Sequence, residues 1–532
     1  MSTKLVDAGV DQYDEANKVG QEFLDRYQDR YGRRPASCVP VVNYDVARTL
    51  LQALTDAHPL SPRGVKEALE RVKMSPAASG RRVREFRSET GRAERGWAPG
   101  TSSHDNSMPK ASTLTSSIAS VRNNRMTDEL TQGVKDAQAK FDAGMGADGD
   151  ASPYPMLNEL RATAPVHHGW PEMGIFENPE EGQQIFSAYT FDAVKAVFTD
   201  NKTFSTRCYE AIVRPLQGPT ILEMQEPEHQ VYRRLHEFAF ARSSMRRWEA
   251  ELVRPLVERT VERLRDAKRA DLVEEVFMPI PVRVIAALIG LPESDIPEFH
   301  RLAIQLLGFQ ADMDTALKAS AQLREYFVGI LADRRREPRD DMVTVLAGAD
   351  VDGVRMSDEQ IYGFMRNLLP AGAETTSRST ASLAFGLLTH PAQLAALVAD
   401  RGLLPQAIEE GIRWETPLLN FMRQTTRDVE FHGVAIPEDS MVSVNLGSAN
   451  HDEARWDDPE RFDIFRERKP HIGFGHGAHV CIGMHLARLE STLFFNTLFD
   501  RLPGLRLDPD APPPYVAGMH FRSPPHLNVV WD

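Results

Sequence analysis

The run His471-Ile-Gly-Phe-Gly-His-Gly-Ala-His-Val-Cys481-Ile-Gly483-Met constrains this chain more than any other stretch. It sets Phe474, Gly475, Gly477, His479 and Gly483 at fixed offsets around one thiol. A helix-compatible segment rich in Leu, Ala and Phe follows, from Met484 to Leu498. Such a loop delivers a single cysteine to a helix N-terminus, where free N–H groups and the helix dipole favour negative charge. Both effects lower a thiol's pKa. The glycines let the backbone approach something flat and large, because no Cβ intervenes. A haem is the most economical such partner, since a thiolate on haem iron favours O–O cleavage. On spacing alone a second reading stands beside it, a lone cysteine packed as a small buried apolar side chain.

Length and charge narrow the classes. The 532 residues allow several domains, and 42% hydrophobic content supplies a sizeable core. The net charge of −14 argues against nucleic acid as a general partner. That charge is uneven. Residues 1–125 carry 20 Lys and Arg against 15 Asp and Glu, and the remainder carries 42 against 61. The three cysteines, Cys38, Cys208 and Cys481, are not spaced as a metal clip. Their sparse, odd count fits a reducing, cytoplasmic setting. The start Met1-Ser-Thr-Lys-Leu-Val-Asp has no apolar leader. No run reaches the roughly 18 apolar residues of a membrane span, so no membrane is expected as a partner.

The pattern Phe474-Gly-x-Gly-x-His-x-Cys481-x-Gly483 resembles the haem-binding signature of the cytochrome P450 family. The resemblance spans residues 126–532. It implies a mainly α fold with a minor β region, the triangular prism of that family. It implies haem b as cofactor, Cys481 as the iron ligand, and Phe474, Gly475, His479 and Gly483 as residues against the haem. With no N-terminal anchor in sight, the chain looks like a soluble, bacterial-type member. The part before residue 126 is different. The runs Phe23-x-x-x-Tyr27-x-x-x-Tyr31-Gly-Arg-Arg-Pro35, Tyr44-Asp-x-Ala47-Arg-x-Leu50 and Pro76-Ala-Ala-Ser-Gly80 resemble the C-terminal part of branched-chain amino acid type periplasmic solute-binding proteins. Residues 1–97 are therefore expected to be a fragment without independent function. Residues 98–125, rich in Ser, Thr, Asn and Gly, read as a flexible linker. Met126-Thr-Asp-Glu-Leu reads as a sensible natural start.

Three further motifs carry chemistry. Ala371-Gly-Ala-Glu374-Thr375-Thr376 lies in a segment from Ser357 to His390 that is apolar nearly all round, as a buried central helix requires. A buried acid beside a buried hydroxyl is costly unless used or satisfied. A threonine bonded to its own helix carbonyl is the plain alternative. By resemblance this is the oxygen-activation site, with Glu374 and Thr375 as the pair that delivers protons. Gly372 is expected to let the helix bulge and Pro370 to promote a kink. Glu410-Gly-Ile-Arg413 alone is a common surface pair. By resemblance it is structural, with Arg461 as the third member. Glu226-Pro-Glu-His229-x-x-x-Arg233-Arg234 puts His229 and Arg233 one helical turn apart. With Arg423 and His479 they match the family's donors to the haem carboxylates.

The sequence holds no flavin or nicotinamide fingerprint and no ferredoxin-like cysteine set. The resemblance therefore implies electrons from a separate ferredoxin and its reductase, docking near Arg234, Arg246 and Arg247. It implies a monomeric monooxygenase that inserts one atom of O2 into a small apolar substrate, a hydroxylation. A peroxide-driven peroxygenase and a non-catalytic haem-thiolate sensor are the alternatives, and the Glu374–Thr375 pair speaks against both. The substrate is expected to touch Leu418, Leu419, Phe421, Met422, Met519 and Phe521, at positions taken from the family.

Overall fold

The computed structural model describes residues 132–144, 152–171 and 183–532. The chain divides into two units, Met1–Thr127 and Asp128–Asp532, and every described residue belongs to the second. The expected fragment at 1–97 and linker at 98–125 lie outside the described residues.

Eight helices frame the site: α1 (132–144), α2 (Glu228–Glu237), α3 (Arg254–Leu264), α4 (Pro279–Ile289), α5 (Met313–Arg336), α6 (Asp358–Thr389), α7 (Leu404–Trp414) and α8 (Met484–Arg501). Helix α6 is the spine. Ser357 opens it with a capping box: its hydroxyl accepts the Gln360 N–H at 3.3 Å, and Gln360 Oε1 accepts the Ser357 N–H at 2.8 Å. Ile361, Tyr362, Gly363 and Phe364, which face every side of the helix, are all buried, because α4, α5, α7 and α8 pack around it. His390 follows its last turn, and Pro391 starts the next helix at a position where its missing N–H costs nothing. The bulge expected at Gly372 is absent, and the backbone stays helical through Pro370 and Gly372. Gly372 is a packing site instead. A Cβ there would stand 2.9 Å from Ile285 Cδ1, so its absence lets α4 press against α6.

The β region is small and built largely from distant segments. A five-stranded sheet runs in the order β1-β2-β8-β5-β3, from β1 (Val166–His168), β2 (Ile185–Ala188), β3 (Phe204–Ser205), β5 (Asn420–Thr425) and β8 (Met441–Asn445). Only its β2–β8 pair is parallel. A second sheet joins β4 (Arg269–Asp271), β9 (Arg506–Leu507) and β10 (Asn528–Val530). The hairpin β6 (Val429–Phe431) and β7 (Val434–Ile436) turns through His432 and Gly433, with φ of 51° and 79°. Two successive positive φ values give the twist a two-residue hairpin needs. No single helix among the described residues is long and apolar enough to cross a membrane.

Candidate active site

The loop of Cys481 is held by two cores. Ile472 is buried with Phe198 and Val442 in the sheet-side cluster, and Phe474 packs on the helical core. Within the loop the Cys481 N–H donates to the Phe474 carbonyl at 2.9 Å, and the Gly475 N–H to the Ile472 carbonyl at 2.8 Å. Gly475 and Gly477 have φ of 72° and 73°, in the left-handed region that side chains rarely adopt. A Cβ on Gly477 would also collide with the Phe198 carbonyl oxygen. At Gly483 the backbone is ordinary (φ −83°), and a Cβ would meet only the Cys481 sulfur, at 3.9 Å.

Cys481 stands at the start of α8, for which Gly483 is the N-cap. The residue keeps accessible surface, while the protein atoms around it still desolvate the thiol. The thiol does not have the lowered pKa expected from its helix N-terminus. Burial pushes it up, against the opposing pull of the Gly483 and Met484 N–H groups and of Arg233 and Arg488.

His229, Arg233, Arg423 and His479 converge beside this loop. The rings of His229 and His479 lie 3.9 Å apart at 33°. Arg233 Nη1 donates to the carbonyl of Val480, next to the cysteine, at 2.8 Å. Arg423, on β5, lies over the Phe198 ring at 4.8 Å, and its one hydrogen bond goes to its neighbour's carbonyl, Met422, at 2.8 Å. Burial lowers its pKa. Burial, then the charges of His229, Arg423 and Arg233, push His479 down to about 2. Burial lowers His229 as well, although its Nδ1 lies 3.0 Å from Glu226 Oε1. Its Nε2 is buried without a partner. Among the described residues no carboxylate bonds Arg423 or His479. A buried guanidinium without an anion, beside an unpartnered imidazole nitrogen, is a donor set made for carboxylates. Lying against a loop that presents a thiol, it fits a haem.

Glu374 and Thr375 belong to another network, and no hydrogen bond or ion pair joins them to the Cys481 loop among the described residues. Thr375 Oγ1 donates to the Ala371 carbonyl at 2.7 Å. Ala371 and Thr375 keep accessible surface halfway along an otherwise buried helix. Glu374 is 4% exposed, and its Oε2 receives Arg378 Nε at 3.2 Å. Arg378 Nη2 also pairs with Asp142 of α1 at 2.6 Å, and Nη1 donates to Ser523 Oγ at 3.2 Å. Burial raises the Glu374 pKa while Arg378 opposes it. Arg378 was legible as the i,i+4 partner of Glu374. Nothing in the sequence pointed to Asp142, which lies 236 positions away from Arg378.

The expected structural triad needs one correction. Arg413 bonds both oxygens of Glu410, at 2.7 and 2.8 Å, and also the Asn450 and Pro459 carbonyls at 2.9 Å each. The third member is Arg466, whose Nε reaches Glu410 Oε1 at 3.3 Å. Arg461 points outward, 59% exposed, toward Asp458 and Asp463. Its carbonyl, not its guanidinium, faces the cluster, where it accepts Arg466 Nη2 at 2.7 Å. A neighbouring clamp went unread. Glu409 takes both nitrogens of Arg488 at 2.7 Å and lies 3.2 Å from His471 Nε2, while Arg488 covers the Phe474 ring at 4.7 Å. It ties α7, the cysteine loop and α8 together.

The apolar positions expected near substrate are brought together from two segments, one running into β5 and one around Phe521. Leu418 and Phe521 form a β-bridge, and the Leu419 N–H donates to the His520 carbonyl at 2.9 Å. Leu418, Phe421, Met422, Met519 and Phe521 are partly exposed. Leu419 is not a lining residue: it is 1% exposed and packs where a Gly447 side chain would stand. Of the expected docking arginines, Arg247 pairs with Asp340 at 2.8 Å and Arg234 with Asp352 at 3.5 Å.

Comparison with known proteins agrees with this geometry. The family model for cytochrome P450 matches residues 309–525. The cytochrome P450 monooxygenase PikC of Streptomyces venezuelae is 35% identical over 394 residues, 71% of this chain and 90% of that protein. The steroid C26-monooxygenase of Rhodococcus jostii is 34% identical over 371 residues, 66% of this chain and 77% of that protein. A cytochrome P450 of Bacillus megaterium, solved in complex with testosterone, superimposes with a TM-score of 0.64 at 28% identity, over 72% of this chain and 100% of that one. By its fold and by the length of these relatives that it spans, this chain belongs to the cytochrome P450 family, the haem-dependent monooxygenases.

Proposed function

We propose that residues 126–532 form a haem-thiolate monooxygenase that inserts one oxygen atom from O2 into a small apolar organic substrate. The cofactor is haem b. Cys481 ligates its iron, and Phe474, Gly475 and Gly483 shape the loop beneath the ring. His229, Arg233, Arg423 and His479 hold its carboxylates. The observation that supports this most is Arg423, a buried guanidinium with no anion, set beside two imidazoles next to the thiol loop. When bound, thiolate-ligated haem supplies the activation and cleavage of O2.

The chain's own groups manage protons and access. Glu374 is desolvated, so its carboxyl holds a proton more readily than a surface acid, and Arg378 limits that rise. Thr375 Oγ1 can exchange its bond to the Ala371 carbonyl, worth about 1 kcal/mol net, for one into the recess. Together they pass protons inward. Leu418, Phe421, Met422, Met519 and Phe521 offer an apolar wall. The steroid named for one relative and the testosterone bound by another support a substrate of that size and polarity. Electrons come from a separate ferredoxin and its reductase, approaching the face of Arg234, Arg246 and Arg247.

The test is a reduced carbon-monoxide difference spectrum of the full chain, of Cys481→Ala and of a chain starting at Met126. A strongly red-shifted Soret band, lost in Cys481→Ala and kept in the shorter chain, is expected. A histidine-type band in the full chain would end the thiolate assignment. Turnover with ferredoxin, reductase and O2, but not with peroxide alone, is the expected companion result.

A further inference from the structure

Outside the candidate active site, α3, α4 and Glu293 line an open cleft of about 380 Å³, formed by Leu256, Arg259, Thr260, Glu262, Arg263, Arg283 and Glu293. Leu256, Arg259, Thr260 and Arg263 share one face of α3 by their helical spacing. Arg283 of α4 is half-buried opposite them. Arg259 and Arg263 are exposed at its rim, and among the described residues none of the three arginines makes a hydrogen bond or ion pair. The cavity's acids do not neutralise them. Glu262 commits one oxygen to Arg265 at 2.8 Å and the other to Arg501 at 3.2 Å. Glu293 favours the charge of Arg283 from a distance but does not pair with it. Thr260 is turned to its own helix, donating to the Leu256 carbonyl at 2.9 Å.

This arrangement costs stability as it stands. Like charges at i,i+4 on a helix, as Arg259 and Arg263 are, repel. Burial, with the charges of Arg263 and Arg259, lowers the pKa of Arg283. An anion between the three guanidinium groups removes all three penalties. We propose that this cavity binds the phosphate of a small phosphorylated molecule. Planar guanidinium forks match the oxygens of a dianionic phosphate. The volume exceeds that of a bare phosphate and is within the range of small-molecule sites, and the Leu256 floor and the arginine stems give an organic portion somewhere to lie.

The experiment uses the haem-loaded full chain with inorganic phosphate and adenosine monophosphate as probes, at constant ionic strength set with chloride. Calorimetry should give saturable binding of both, with the monophosphate tighter. Arg283→Gln and, separately, the exposed Arg263→Gln should each weaken both by about tenfold, the loss of one charged hydrogen bond. Their carbon-monoxide spectra should be unchanged. Without phosphate, Arg283→Gln should unfold at a higher temperature than the parent. Equal affinity in parent and variants, or no saturable heat in the parent, would overturn the proposal. Binding only to vesicles containing phosphatidic acid, and not to the free probes, would also overturn it and assign the arginines to a lipid surface.

Discussion

Glu490 offers a quantitative test of how the core around α8 is built. It is 1% exposed, and its Oε2 is buried with no hydrogen-bond partner. Burial alone lifts its carboxyl from an ordinary value of 4.5 to about 8. The folded state thus binds this proton more tightly than the unfolded state. The stability it confers is therefore full below the unfolded pKa and falls as pH rises through the window from about 4.5 to about 8. At about 1.36 kcal/mol per pKa unit, roughly 2.5 units of that window lie below pH 7, so this one group costs about 3 kcal/mol there relative to acid conditions. Glu490→Gln keeps the shape and removes the titration. Urea unfolding of parent and variant, from pH 5 to pH 8.5, isolates the group, because every other titration cancels in the difference. The variant should gain on the parent steadily as pH rises, reaching about 4 kcal/mol near pH 8 relative to acid conditions. A difference that does not change with pH would show that Glu490 has a partner or water able to keep it ionised, and would refute the reasoning.

Other substitutions test the assignments one at a time. Arg466→Ala should destabilise by about 3 kcal/mol, as breaking a buried pair does, whereas Arg461→Ala should stay within about 0.5 kcal/mol in the same denaturation experiment. Gly477→Ala, which meets both a positive φ and the Phe198 carbonyl, should abolish the red-shifted carbon-monoxide band while far-ultraviolet circular dichroism keeps its helical signal. Asp142→Asn should leave Glu374 as the sole carboxylate on Arg378, lowering product formed per reduced nicotinamide consumed with little change in the carbon-monoxide spectrum. Arg423→Leu should weaken haem retention, read as faster haem loss to apomyoglobin, because it removes the buried charge that has no other anion.

What the sequence revealed depended on how local the cause was. The helix start at Ser357 and the glycine loop at Cys481 are each dictated within a few residues, and each stands where the pattern put it. The start of α8 at Met484 is equally local. The misses share a different origin. Arg461 and Arg466 lie five residues apart in an irregular turn, where no periodicity fixes which guanidinium points inward. Arg466 enters because it wraps back onto the carbonyls of Asp457, Asp458 and Arg461. The Cys481 pKa went the other way for a related reason. Its helix N-terminus is visible in sequence, but desolvation depends on how the folded chain packs around the loop, and desolvation wins.

The cluster at His229, Arg233, Arg423 and His479 shows how composition and electrostatics part company. Read from residue types it is four cations awaiting two carboxylates. In the fold only the two arginines keep a positive charge near neutral pH, since burial and mutual repulsion hold His479 at about 2 and lower His229 too. His479 therefore acts as a neutral N–H donor, whereas His229, whose Nδ1 faces the Glu226 carboxylate at 3.0 Å, can donate from Nε2 as well only when it takes up a proton. A carboxylate arriving at His229 Nε2 together with a proton would satisfy a buried atom that has no partner and reduce the repulsion in the same step. The same side chains that make this corner costly when the chain folds are those that make an anion favourable there, so the donor set is tuned to a bound carboxylate and not to the protein alone.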